Sequence, residues 1–229
     1  MYRRGLLRVM RACFVCICAW DLVAAAAPRI AFAASSPEDR IRSFYETLLS
    51  TMRDGTTLGA RGRYDQLGPA IQRDFDLSYM TRLAVGPAWS RLSDEQRKQV
   101  SDAFARYITA TYADYFASYS GEKFVVTGQQ NGSYGTIVQS QIVKPSGEPI
   151  SMNYLMRQNN GDWQIADIYL TGTISQMATL RSQFSSVLAR DRIASLITLL
   201  NSKAQTLTAS PASITRPPVC SPQSAQWPL

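Results

Sequence analysis

An acid set among apolar neighbours is the first place to look for chemistry in this chain. Asp167 stands between Ala166 and Ile168, and Tyr169 follows two positions on. Asp167 could take a proton and Tyr169 supply one, as base and acid of a small sheet-cupped enzyme. The more ordinary reading is a hydrogen-bonded or solvent-facing strand acid beside a tyrosine that fills core or surface. Asp74 and Asp76 form a second close pair. Two carboxylates near a helix start suit a metal, but capping the helix is their commoner role.

The rest of the inventory is exclusions. The 229 residues contain no histidine, which removes Ser-His-Asp and Cys-His catalysis and every metal site built on imidazole. Three of the four cysteines, Cys13, Cys16 and Cys18, crowd near the N-terminus, and only Cys220 lies elsewhere. That spread does not make a four-cysteine zinc site. Neither phosphate-loop pattern occurs, and neither does an EF-hand loop or a G-x-S-x-G elbow. What the chain does have is methionine and aromatic residues at interior-type positions, among them Met80, Met152, Met156 and Met177. Methionine suits an interior that must adapt to ligands of variable shape. A binding cavity is one use of such an interior, and plain core packing is the other.

The elements that would position these residues can be read from periodicity and caps. Ser36-Pro37-Glu38-Asp39 opens a helix carrying Ile41, Phe44, Tyr45, Leu48, Leu49 and Met52, which ends at Asp54-Gly55. A weaker helix covers Thr57 to Asp74. Asp76 caps a short one with Leu77, Met80, Leu83 and Ala84, interrupted by Gly86-Pro87. Ser93-Asp94-Glu95-Gln96 is a capping box, and the stripe Val100, Phe104, Tyr107, Ile108, Tyr112, Phe116 and Tyr119 makes the longest helix. The period then changes. Phe124–Gln130, Thr136–Lys144, Ile150–Gln158 and Trp163–Leu170 are expected as strands, joined by Asn131-Gly132, Pro145-Ser146-Gly147 and Asn159-Asn160-Gly161-Asp162. Ile150, Met152, Tyr154 and Met156 share one face of the third strand, which helices should cover. Helical spacing returns at Ile174, Met177, Leu180, Phe184, Val187 and Leu188, and again from Ile193 to Leu200. The expected fold is α+β: a curved four-stranded antiparallel meander with N- and C-terminal helices on one face, enclosing an apolar cavity.

The two ends read differently. Residues 1–34 have the form of a cleaved secretory signal peptide: Arg3, Arg4, Arg8 and Arg11, an apolar run from Ala12 to Ala27, and Ala31-Phe32-Ala33 as cleavage site, with Ala34 as the weaker alternative. The apolar run is shorter than the roughly 20 residues a membrane span needs. Cleavage removes three cysteines and most of the positive charge. The net +7 of the full chain falls to about +3, which makes no case for a nucleic-acid partner. Residues 35–209 form the single domain, and 210–229 a Pro- and Ser-rich flexible tail.

With these residues in view, the chain resembles the MlaC family, also called the toluene-tolerance auxiliary component. The resemblance lies in Asp74-Phe75-Asp76 leading through a short helix to Gly86 and Trp89, and continues in Ser93–Gln96, Phe104, Tyr112 and Tyr119-Ser120-Gly121. It extends to Gly147-Glu148-Pro149-Ile150, Gly161-Asp162-Trp163-Gln164-Ile165-Ala166-Asp167, Gly172-Thr173-Ile174-Ser175 and Arg181-Ser182-Gln183-Phe184. Where family members usually have Glu-Gly-Val-Ser, this chain has Thr171-Gly172-Thr173-Ile174-Ser175, and Asp191-Arg192 replaces a glycine. The wording from Tyr169 to Ser175 is closer to the hopanoid-associated branch, HpnM.

The resemblance implies a monomeric periplasmic lipid shuttle that maintains outer-membrane lipid asymmetry. Its partners would be an inner-membrane ABC transporter complex and an outer-membrane lipoprotein complex. Its cargo would be phospholipid, or a hopanoid-type lipid for that branch, with no other cofactor, no metal and no catalysis. The implied lining is Met152, Tyr154, Met156, Trp163 and Ile165 from the sheet, and Leu83, Phe104, Ile108, Tyr112, Phe116, Ile174 and Met177 from the helices. Arg82 and Arg181 would meet the head group. The competing functions are the Asp167–Tyr169 enzyme and a non-catalytic envelope scaffold.

Overall fold

The computed structural model describes residues 36–190 and 193–209. The expected signal peptide, the tail with Cys220 and the Asp191-Arg192 pair lie outside the described residues. Six helices and five strands follow in the order α1 (Pro37–Arg53), α2 (Gly55–Asp74), α3 (Leu77–Val85), a 3₁₀ turn (Gly86–Arg91), α4 (Asp94–Tyr115), β1 (Lys123–Gly132), β2 (Gly135–Val143), β3 (Pro149–Asn159), β4 (Asp162–Leu170), β5 (Ile174–Ser175), α5 (Gln176–Arg190) and α6 (Ile193–Ala209).

The caps work as their chemistry requires. Ser36 Oγ accepts from Asp39 N, Asp76 accepts from Tyr79 N, and Ser93 and Gln96 form the reciprocal capping box. Each satisfies donors that a helix start leaves open. In α2 the helix kinks at Gly59, whose φ of 63° a residue with a Cβ could not hold cheaply. The longest helix stops at Tyr115 rather than running to Tyr119. Arg63, buried between α2 and α4, explains the stop: its Nε donates to the Ala113 carbonyl at 2.7 Å and its guanidinium to the Gly55 carbonyl at 2.8 Å. The Ala117 carbonyl then passes so close to Gly55 that no Cβ would fit there.

The sheet is an antiparallel meander in the order β1-β2-β3-β4-β5. The expectation was four strands; the fifth, two residues long, pairs Tyr169 with Ser175 and Leu170 with Ile174. It takes the first residues of the expected C-terminal helix, so α5 begins at Gln176. The outer edge of β4 is also covered at Ile165, where Phe75 bridges it and Asp76 N donates to its carbonyl at 2.9 Å. These covers hide an edge that would otherwise invite another strand.

Three irregularities interrupt the sheet, two of them level with each other and the third two to three residues further along β3. Between β1 and β2, Thr127 is an extra residue where Val126 faces Ser140 and Gly128 faces Gln139. Between β3 and β4, Ala166 is extra where Leu155 faces Asp167 and Met156 faces Ile165. Between β2 and β3, pairing covers Thr136–Val138 and Gln141–Val143 but not Gln139 and Ser140, which lie opposite Asn153 and Met152. Bulges bend and twist strands, so the sheet curves at these places. The Ala166 bulge also explains how Ile165 and Ile168 both reach the core with two residues between them.

One buried core lies between the sheet and the helices, with Ile41, Phe44 and Leu48 of α1, Phe104 and Ile108 of α4, Tyr154 and Met156 of β3 and Leu180 and Phe184 of α5 fully enclosed. Each such side chain contributes about 1.5–3 kcal/mol by leaving water. Among the described residues no helix is long and apolar enough to cross a membrane.

Candidate functional site

The layer between sheet and helices is where most of the expected lining residues meet. Met152, Tyr154, Met156 and Ile165 are buried on the sheet side, and Phe104, Ile108, Tyr112, Phe116 and Met177 on the helix side. Leu83 and Trp163 are half-buried and pack against the same core. Ile174 is 43% exposed on the short β5 and stands apart from the others.

Alpha1 supplies partners that the expected lining omitted. Phe44 packs edge-on against Phe75 and Tyr112 with ring centres 5.2 and 5.6 Å away, and Tyr112 stacks on Phe116 at 5.5 Å. Tyr45 meets Phe124 at 4.9 Å and Tyr154 at 5.9 Å. Such pairs contribute beyond their buried area. The Ile41, Phe44, Tyr45 and Leu48 stripe marks these residues as core; nothing in their spacing says which strand they face.

A knot of hydroxyls sits inside this apolar layer. Ser140 Oγ donates to the Met152 carbonyl, and the Tyr45 hydroxyl is 2.5 Å from the same Oγ. With the serine proton committed, the Tyr45 phenol is the donor of that bond. Tyr154 donates to the Met152 thioether at 2.9 Å and also bonds to Tyr45 and Tyr112. Burial pushes the Tyr45 phenol up to about 12. Burial likewise holds Tyr112 and Tyr154 well above the usual phenol range. All three stay protonated at neutral pH and act as hydrogen-bonding rods, not bases.

The two candidate acids have structural partners. Asp167 is buried, and its Oδ1 accepts from Ile168 N at 2.7 Å and Met177 N at 3.1 Å, while Oδ2 accepts from Ser175 Oγ at 2.5 Å. The carboxyl therefore caps α5 and ties it to β4. Burial raises its proton affinity, and the bonds from Ser175, Met177, Ile168 and Gln176 oppose that rise. Tyr169 is half-buried on the same strand, and burial, then the neighbouring Asp167, raise its phenol. Asp76 caps α3, while Asp74 is fully buried and held by Arg40 at 3.2 Å and by a two-pronged contact from Arg73 at 2.8 Å. Among the described residues no group of three or more metal-ligating side chains comes together.

Arg82 and Arg181 are both exposed, on α3 and α5. They belong to packed neighbours: a Cβ on Gly86, which caps α3, would come within 2.7 Å of Arg181 Nε, so the arginine lies flat across that turn. Away from this layer, a surface groove of about 350 Å³ lies between α2 and α4, lined by Tyr64, Gln72, Asp102 and Arg106 among others.

The architecture thus belongs to a class in which helices close one face of a curved antiparallel meander over an aromatic- and methionine-rich layer. Within that class the match is specific: residues 42–202 fit the family described as MlaC protein, and the chain belongs to the MlaC family. The fold is also that of a solved structure, the phospholipid-binding protein from Ralstonia solanacearum in complex with a phospholipid. The two are 21% identical, with a TM-score of 0.66 over 76% of this chain and 99% of that one. No curated protein matches the chain by sequence.

Proposed function

We propose that this protein is a periplasmic lipid carrier that shuttles phospholipid between the two membranes and performs no covalent step. The observation that carries the reading is the layer of buried Met152, Met156, Met177, Phe104 and Ile108 between sheet and helices. It occurs in a chain of the MlaC family whose structural neighbour is a phospholipid complex. The physics is direct. An acyl chain in water costs about 0.8 kcal/mol per CH₂, and an interior of methionines and aromatic rings can repack around a chain and remove that cost. Arg82 and Arg181 offer the guanidinium groups that suit a phosphate head, while the head itself stays near water. The mature chain begins after Ala33 or Ala34, acts as a monomer and exchanges lipid with an inner-membrane ABC transporter complex and an outer-membrane lipoprotein complex.

The enzyme reading has less support, because the Asp167 oxygens that would act as base already hold the start of α5 and Ser175. A vesicle assay tests both readings. Donor vesicles carry a fluorescent phospholipid and acceptor vesicles carry none. Transfer should rise in proportion to protein concentration, and the lipid should arrive with its mass unchanged. Transfer no faster than the protein-free rate contradicts carriage, and a chemically altered lipid supports the enzyme.

A further inference from the structure

The start of α5 holds an amide whose hydrogen bonding is half complete. Gln176 is fully buried. Its Nε2 donates to the Ile174 carbonyl at 3.3 Å. A carbonyl can only accept, so this contact fixes which end of the amide is nitrogen. Oε1 is the end left over, and it is buried with no donor in reach among the described residues. Gln183 repeats the condition, with its Oε1 also buried and unpartnered. Residues seven apart lie on one helix face, two turns or about 10 Å along it. On that face Leu180 lies in the core between the two glutamines, and Val187 packs against the core. The face with two open acceptors is therefore the one that α5 turns toward the buried layer.

Buried polar atoms are paired in nearly all native proteins, and an unpaired one is costly. The missing donor arrives with whatever enters the layer, and chemistry narrows what that is. The amides at the start of α5 are not open to a phosphate. Asp167 takes Ile168 N, Gln176 N and Met177 N, and Ser175 Oγ takes Ala178 N. An amide oxygen only accepts, so it cannot pair with a phosphate oxygen either. An ammonium group would have to give up its hydration at a fully buried place. A neutral hydroxyl fits. We infer that Gln176 Oε1 accepts a hydrogen bond from a hydroxyl of the bound lipid, and so selects hydroxyl-bearing cargo. The inference rests on the carrier reading and adds selectivity to it. The apolar layer suits the chains of any lipid, whereas the open amide oxygen distinguishes a head that can donate. Ile174, two residues earlier, is 43% exposed. Gln176 thus follows directly on a surface segment, where a head group can reach it while the chains run inward.

Phosphatidylglycerol and phosphatidylpropanol test this, because they carry the same charge and differ only in two hydroxyls. The exported protein is incubated with vesicles that contain both in equal amounts, and a native mass spectrum reads which lipid it holds. The native chain should hold phosphatidylglycerol over phosphatidylpropanol by roughly tenfold, the scale of one hydrogen bond to a buried polar group. Gln176→Leu should bring that ratio close to one while total lipid uptake persists. Gln176→Met, unbranched like glutamine, gives the same readout if the leucine variant does not fold. Equal holding of the two lipids by the native chain overturns the inference, and means that a buried water supplies the donor. A preference that survives in the folded Gln176 variant overturns it as well. Uptake of neither lipid by the native chain has a different meaning: it defeats the carrier reading itself, and this inference with it.

Discussion

Tyr45 shows how much one hydroxyl can organise. Its ring packs on Phe124 and Tyr154, and its hydroxyl bonds to Ser140 in a layer that is mostly hydrocarbon, sulfur and aromatic carbon. A buried phenol resists ionising because the phenolate would lose its hydration. Its folded-state value is raised to about 12, above the unfolded value of 10. The sign follows: this tyrosine's contribution to stability is fully present below pH 10 and is lost as pH rises through about 12. An alkaline titration followed by phenolate absorbance should therefore show the Tyr45, Tyr112 and Tyr154 set ionising late, together with the loss of near-ultraviolet circular dichroism. Tyr45→Phe should remove part of the late step. A single transition near pH 10 for all tyrosines, with the fold intact, would show that the knot is open to water.

At the scale of elements, Asp167 joins two pieces that are weak alone, the last long strand and the start of α5. Removing the carboxylate leaves the Met177 and Ile168 amides and the Ser175 hydroxyl without their acceptor. Asp167→Ala should cost about 2–3 kcal/mol in denaturant unfolding. Asp167→Asn, which keeps one accepting oxygen, should cost less. Burial raises the folded-state proton affinity of Asp167 above that of the unfolded chain. Its favourable contribution is then fully present below the unfolded value and is lost as pH rises through the folded one. The stability of the native chain relative to Asp167→Asn should fall as pH rises from about 4; a difference that grows with pH would contradict the burial-dominated account. The helix starts at Ser36, Asp76 and Ser93 were legible, because a cap acts within three residues and needs no tertiary knowledge. The four long strands were legible from alternation and turn chemistry. Beta5 was not, since Ile174 and Ser175 continue a helical pattern and only the free edge of β4 draws them into a strand. The early end of α4 was also hidden, because it depends on Arg63 and Gly55, more than fifty residues away.

At the scale of the molecule, the candidate site was legible as composition and only partly as geometry. Met152, Tyr154 and Met156 alternate on one strand, and Phe104, Ile108 and Tyr112 recur on one helix, so each set could be assigned to an inward face. That α1 brings Tyr45 to Ser140 could not be read, since no local pattern encodes which helix crosses which strand. The Ala166 bulge defeated strict alternation in β4, and the unpaired stretch at Gln139-Ser140 has no signature of its own. These are also places where the sheet bends. The central claim is that this interior holds lipid. The direct measurement is a native mass spectrum of the protein exported in its own cells and purified without detergent, followed by identification of whatever dissociates. The account predicts a species heavier than the mature chain by the mass of one lipid, whose fragments distinguish phospholipid from a hopanoid-type cargo. A mass equal to that of the chain alone, unchanged after incubation with phospholipid vesicles, would contradict it.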